Sequence, residues 1–129
     1  MPKQVLTSVK LAPPIGVYSQ ATMVANPTRM VFVSGLTART AQGIVGRGDV
    51  GAQTRQVLES LKAILAEAGA SLEDVVKVTV FIRNMADFKA IHEVRAQYFP
   101  KDPPASTMVE VSRLVDEDLL IEIEATAVL

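Results

Sequence analysis

Polar and apolar residues alternate with period two through the last part of the chain. Pro103–Leu114 and, after a short acidic turn, Leu119–Leu129 both read as strands on that pattern. In the closing segment Leu119, Ile121, Ile123, Ala125, Ala127 and Leu129 share one face, and Leu120, Glu122, Glu124, Thr126 and Val128 share the other. The first face is uniformly apolar. The second mixes carboxylates with apolar side chains, which suits neither open water nor a dry core, and predicts a covering surface that leaves polar gaps.

The same reading upstream gives a short edge strand at Val5–Val9, a loop through Ala12-Pro13-Pro14-Ile15-Gly16, and strands at Tyr18–Val24 and Arg29–Leu36. The break at Asn26-Pro27 predicts that these two strands form a hairpin. Thr37–Gly48, with three glycines, reads as a loop carrying Arg39 and Arg47. Asp49 then caps a helix whose apolar positions Val50, Val57, Leu58, Leu61, Ile64, Leu65 and Ala68 recur at helical spacing, with Gly69 just past its end. Ser71–Asp74 resembles a capping box around one turn, and Val75–Ile82 is a β-branched run suited to a central strand. Asn84 caps a second helix, Met85–Tyr98, ended by Pro100, Pro103 and Pro104. Its stripe of Phe88, Ile91, Arg95, Tyr98 and Phe99 is apolar but for one arginine, and His92 lies four residues after Phe88 on the same side.

This order predicts an α+β domain with a βαβ crossover in its middle. Two helices cover one face of such a sheet and not both. The uncovered face, bearing Leu120 and Val128, implies self-association.

Composition narrows the chemistry. The chain has 129 residues, 49% of them hydrophobic, which suits one domain over 1–129 and excludes a disordered chain. With 13 basic against 14 acidic residues, nothing points to nucleic acid or an anionic membrane. The absence of cysteine removes disulfides and thiolate chemistry, and a single histidine, His92, argues against a metal site. Met1-Pro2-Lys3-Gln4 has no signal core and no apolar run spans a bilayer, so a soluble cytoplasmic protein is expected.

Ser106, Glu110, Glu122 and Glu124 fall on or near the mixed face, with Tyr18 and the Ser34-Gly35 strand end close by. They suit either a pocket between subunits, with a carboxylate base and backbone amide donors, or plain interfacial hydrogen bonding. His92 and Arg95 read either as a proton donor and an anion clamp or as structural side chains. Ser34, Ser106 and Thr107 lack a nucleophile elbow, and the glycines of Gly43–Gly51 do not fit a phosphate loop.

Ile15-Gly16-Val17-Tyr18-Ser19-Gln20, Val33-Ser34-Gly35, Ala52-Gln53-Thr54-Arg55-Gln56, Val76–Phe81, Pro104-Ala105 with Val109-Glu110-Val111, and Ile121–Ala125 together resemble the RidA/YjgF family of reactive-intermediate deaminases. The resemblance implies a chorismate-mutase-like fold: a mixed sheet of about six strands, two helices on one face, and a homotrimer with pockets at subunit interfaces. It implies hydrolysis of short-lived enamines or imines to a 2-oxo acid and ammonia without metal or cofactor. It gives Tyr18 and Glu124 the positioning of substrate or water, and backbone near Gly35 the lining of the same cavity. Substrate contacts are expected from Ser34, Ser106 and Thr107.

One departure bears on specificity. The family pattern Pro-Ala-Arg becomes Pro104-Ala105-Ser106, so a neutral hydroxyl stands where an arginine would fork a carboxylate. Losing that pair costs roughly 2–5 kcal/mol. Leu36 replaces a common glutamine, and His92 and Arg95 stand where asparagine and tyrosine are usual. Either Arg39, Arg95 or His92 supplies the missing cation, or the ligand is less acidic. The expectation is therefore a deaminase or related hydrolase of altered specificity, with a non-catalytic metabolite-binding protein as the alternative. Ribonuclease activity is disfavoured by the near-neutral charge and 5% aromatic content.

Overall fold

The computed structural model describes residues 3–129; Met1 and Pro2, part of the start in which no signal core was found, lie outside the described residues. In chain order the elements are β1 (Lys3–Leu6), β2 (Ala21–Val24), β3 (Met30–Leu36), β4 (Arg39–Thr40), β5 (Gly43–Ile44), α1 (Val50–Ala66), β6 (Val75–Ile82), α2 (Phe88–Tyr98), β7 (Ala105–Glu110) and β8 (Ile121–Val128). The strand and helix order predicted from periodicity is present. Strand limits differ: the first strand starts earlier and ends at Leu6, and the Pro103–Leu114 run contributes only Ala105–Glu110. The expected Thr37–Gly48 loop holds the small hairpin of β4 and β5.

The main sheet has four strands in the order β3-β8-β6-β7. β8 runs antiparallel to both β3 and β6, while β6 and β7 are parallel and joined through α2, which is the expected crossover. Of the six longer strands, two stand apart: β1 and β2 form their own antiparallel ribbon. The predicted hairpin of Tyr18–Val24 with Arg29–Leu36 does not form. β2 pairs with β1 instead, and β3 bonds along one edge to β8, where Arg29 and Leu129 exchange backbone hydrogen bonds; Asn26, at φ 52°, lies in the turn between the two strands.

The helix signals act as read. The Asp49 carboxylate accepts from Ala52 N at 3.0 Å, closing the start of α1, and Gly69 takes the left-handed φ of 72° beyond its end. Asn84 accepts from Ala86 N at 2.9 Å and opens the 3-10 turn leading into α2. Val57, Leu58, Leu61 and Leu65 of α1, with Ile91 and Val94 of α2, pack on Val78, Val80, Ile82, Ile121, Ile123 and Ala125. Both helices therefore cover one face, leaving the other without a helix over it.

That open face is apolar in a different way from the one expected. Val128 is only 1% exposed, because the chain itself buries it, whereas Phe32 is 74% exposed. Phe32 pairs with Thr126, Thr79 with Glu124, and Phe81 with Glu122, so these side chains share the open face. No helix among the described residues is long and apolar enough to cross a membrane.

Candidate functional site

Three elements form an open cavity of about 490 Å³ lined by Ile15, Gly16, Val17, Tyr18, Met85, Phe88, His92, Arg95, Ser106 and Met108. β7 supplies its floor. Ser106 pairs with Val78, a core residue, so Ser106 and Met108 point to the helix side of the sheet. Ser106 and Glu110 therefore do not share the open face with Glu122 and Glu124, contrary to the sequence reading. The Glu110 carboxylate instead accepts from Met85 N at 2.8 Å, at the start of the turn before α2.

The loop before β2 forms the lid. Ser19 N donates to Pro104 O at 3.1 Å, Ser19 Oγ donates to Pro103 O, and Ile15 N donates to Tyr18 Oη at 3.4 Å. The two Ser19 bonds tie the loop to the residues just before β7, and the third holds the turn within the loop itself. A Cβ on Gly16 would lie 3.3 Å from Phe88 Cζ and 3.7 Å from His92 Nδ1, so glycine lets the loop settle against α2. The Phe88 and His92 rings stack, with centroids 5.9 Å apart and planes 10° off parallel.

Arg95 sits behind this stack and is 4% exposed. Its Nη2 donates to Val17 O at 3.2 Å and to Ser106 Oγ at 3.1 Å. Its buried Nε has no hydrogen-bond partner, and no carboxylate among the described residues lies within ion-pair distance of the guanidinium. Burial alone pushes its pKa down to about 10.

A second cluster lies on β3 and β8. Val33 pairs with Ala125 and Leu36 with Ile123, so Ser34 and Gly35 together oppose Glu124, forming a bulge. The Glu122 side chain crosses to this bulge: a Cβ on Gly35 would meet Glu122 Oε2 at 2.0 Å and its Cδ at 2.7 Å. Glycine is thus required for the carboxylate to lie over the Gly35 backbone. Glu124 borders a separate recess of about 190 Å³ with Phe32, Lys77 and Thr79.

The structure thus brings together Tyr18, His92, Arg95 and Ser106, and separately Ser34, Gly35 and Glu122. Thr107 joins neither group, because it points to the open face and accepts from Lys77 Nζ at 2.9 Å. Arg39 is exposed on β4 and does not line the cavity beside Ser106. β3 and β7 are opposite edges of the four-stranded sheet. Three strand spacings, about 14 Å, separate them, so the two clusters cannot hold one small molecule within a single chain. Periodicity placed Glu122 and Glu124 on one face, and the resemblance pointed to Glu124. The bulge at Ser34-Gly35 sets the Glu122 carboxylate over the glycine, while Glu124 borders the separate recess.

Residues 9–129 match the family described as Endoribonuclease L-PSP. The chain is 43% identical to the 3-aminoacrylate deaminase RutC of Acinetobacter baylyi, over 98% of this chain and 98% of that protein. It is 34% identical to a 2-iminobutanoate/2-iminopropanoate deaminase of Dermatophagoides farinae, over 99% and 98% of the two chains. A Yersinia pestis structure described as YyfB, of the conserved Rid protein family, superposes with a TM-score of 0.91 at 36% identity and covers 100% of both chains. Matched along its length in sequence and in fold, the chain belongs to the RidA/YjgF family.

Proposed function

We propose that this protein is an enamine/imine deaminase that works in clefts between the subunits of a homotrimer. The observation that carries the reading is the division of the polar residues: a cavity holding a phenol, an imidazole and a guanidinium at one edge of the sheet, and a carboxylate over a glycine bulge at the other. A second copy that sets its β3 edge against the β7 edge of the first completes one cleft from both halves. The exposed Phe32 face supports such an assembly.

In that cleft an enamine first takes a proton on carbon to become the imine. Water then adds its oxygen to the imine carbon, the nitrogen gains a proton, the C–N bond breaks to release ammonia, and the carbonyl forms. Tyr18 positions the substrate. Glu122 accepts the proton from water, with Glu124 the alternative carrier of that role, and backbone at Ser34 and Gly35 faces the developing charge. No cofactor is called on for any of these steps. The relatives named as 3-aminoacrylate and 2-iminobutanoate/2-iminopropanoate deaminases support this reaction class.

To test it, 2-iminobutanoate and 3-aminoacrylate are generated in situ and the release of 2-oxobutanoate from the first, or of 3-oxopropanoate from the second, is followed with and without the protein. Acceleration of either is the expected result. Acceleration of neither, with saturable binding of a small acid, would turn the reading to a non-catalytic metabolite-binding protein.

A further inference from the structure

We infer that Arg95 is the residue that recognises the carboxylate of the ligand, with Ser106 as its positioning residue. A desolvated cation with no countercharge is among the costliest groups a fold can hold, and proteins keep such groups where a ligand supplies the missing charge. Arg95 meets that description. It is 4% exposed, borders a cavity of about 490 Å³ and has no carboxylate of its own chain within ion-pair distance among the described residues. Its two hydrogen bonds both leave from Nη2, to the Val17 carbonyl and to Ser106 Oγ. A guanidinium has five N–H donors, and here Nε is buried without a partner. The two bonds fix the guanidinium plane, Nε is closed off by packing, and Nη1, which has no hydrogen-bond partner among the described residues and is not buried, is the group left for an anion.

Ser106 fits this arrangement because its oxygen accepts from Arg95 while its own O–H stays free to donate. An arginine at position 106 would bring a second cation against the first, so a small hydroxyl on β7 and a cation on α2 form one matched arrangement. The walls contributed by Ile15, Val17, Phe88 and Met108 are apolar. The ligand chemistry is therefore a small monocarboxylate, held through its charged end at α2. The carboxylate site stands on this geometry alone. Its assignment to the substrate rests on the deaminase reading.

The test uses the intact protein with 2-oxobutanoate as probe and 2-oxobutanamide as its neutral counterpart. Calorimetry is expected to show binding of the acid and not of the amide, and the Arg95 Nε–H resonance in a ¹⁵N spectrum is expected to shift as the acid is added. Arg95→Met, similar in length and uncharged, should weaken acid binding by about 30-fold or more and raise KM far more than it lowers kcat, while Arg95→Lys keeps part of the affinity. Ser106→Ala should weaken binding less, with the Arg95 resonance broadened. An Nε–H resonance that stays put at saturating acid would overturn the inference without any variant. So would Arg95→Met binding the acid like the wild type, or the loss of the assembly with no acid bound by the parent, which would make the guanidinium half of an intersubunit ion pair. Acid binding without imine turnover would sink the deaminase reading and leave the carboxylate site standing. Turnover with an unchanged KM in Arg95→Met would do the reverse.

Discussion

Gly35→Ala tests the link between the β-bulge and the reaction. The added methyl carbon would lie 2.0 Å from Glu122 Oε2, 2.7 Å from Cδ and 3.0 Å from Cγ. Ordinary contact begins at 3.4 Å, so the carboxylate oxygen must retreat by about 1.4 Å. The backbone does not resist, since Gly35 is not among the residues with positive φ. Moving Glu122 to another rotamer costs about 0.5–1.5 kcal/mol, and the lower entropy of the unfolded alanine chain returns about 0.4–1 kcal/mol. Stability should therefore be nearly unchanged, with Tm within about 4 °C of the parent. Activity should not be: misplacing a reacting group by about 1 Å costs on the order of 100-fold, or about 2.7 kcal/mol of transition-state stabilisation. The assay is the initial rate of 2-oxobutanoate release from 2-iminobutanoate, alongside a thermal melt. Wild-type kcat in a folded Gly35→Ala variant would refute the placement of Glu122 in the reaction. A melt lowered by tens of degrees would show that the glycine serves the fold instead.

Three further outcomes follow from the geometry. Glu122→Gln should reduce kcat by about 100-fold or more while Glu124→Gln reduces it by less than about 10-fold; the opposite ranking would move the acid-base role two residues along β8. Phe32→Asp, which puts a charge on a 74% exposed face, should dissociate the assembly in light scattering and abolish turnover, and a wild-type protein that runs as a monomer would remove the shared cleft. The buried Arg95, whose pKa burial pushes down to about 10, is charged in both folded and unfolded chains below that pH, so its burial cost is present in full at neutrality. Between about 10 and the ordinary arginine value the folded state binds fewer protons than the unfolded one, and this contribution makes stability rise with pH. Carboxylate affinity should do the reverse, staying flat from about pH 6 to 9 and falling above about 10. An affinity that already falls between pH 6 and 8 would place the recognition on a different group.

Much of the fold was legible because local chemistry fixed it. Asp49, Gly69 and Asn84 mark helix ends through bonds and φ angles that reach only a few residues, and the β-branched Val75–Ile82 run suited a central strand, which it forms. The failed hairpin shows the limit. Alternation identified both strands, but β3 pairs with β8, a strand far away in the sequence, from Arg29 and Leu129 to Leu36 and Ile123. The same limit governs the site. The sequence displayed an arginine in an otherwise apolar helix stripe and a serine where an arginine was expected, and left Arg39, His92 and Arg95 as equal replacements.

What the amino-acid sequence determined by itself was the set of elements, the faces of the strands and the residue types available for chemistry, since each follows from period, caps and turn propensities. Only the tertiary structure decided that Arg95 meets Ser106, that Glu122 rather than Glu124 lies over Gly35, and that the two clusters stand at opposite sheet edges. Those outcomes depend on strand order and on one extra residue in a bulge, and both are set by packing between segments distant along the chain.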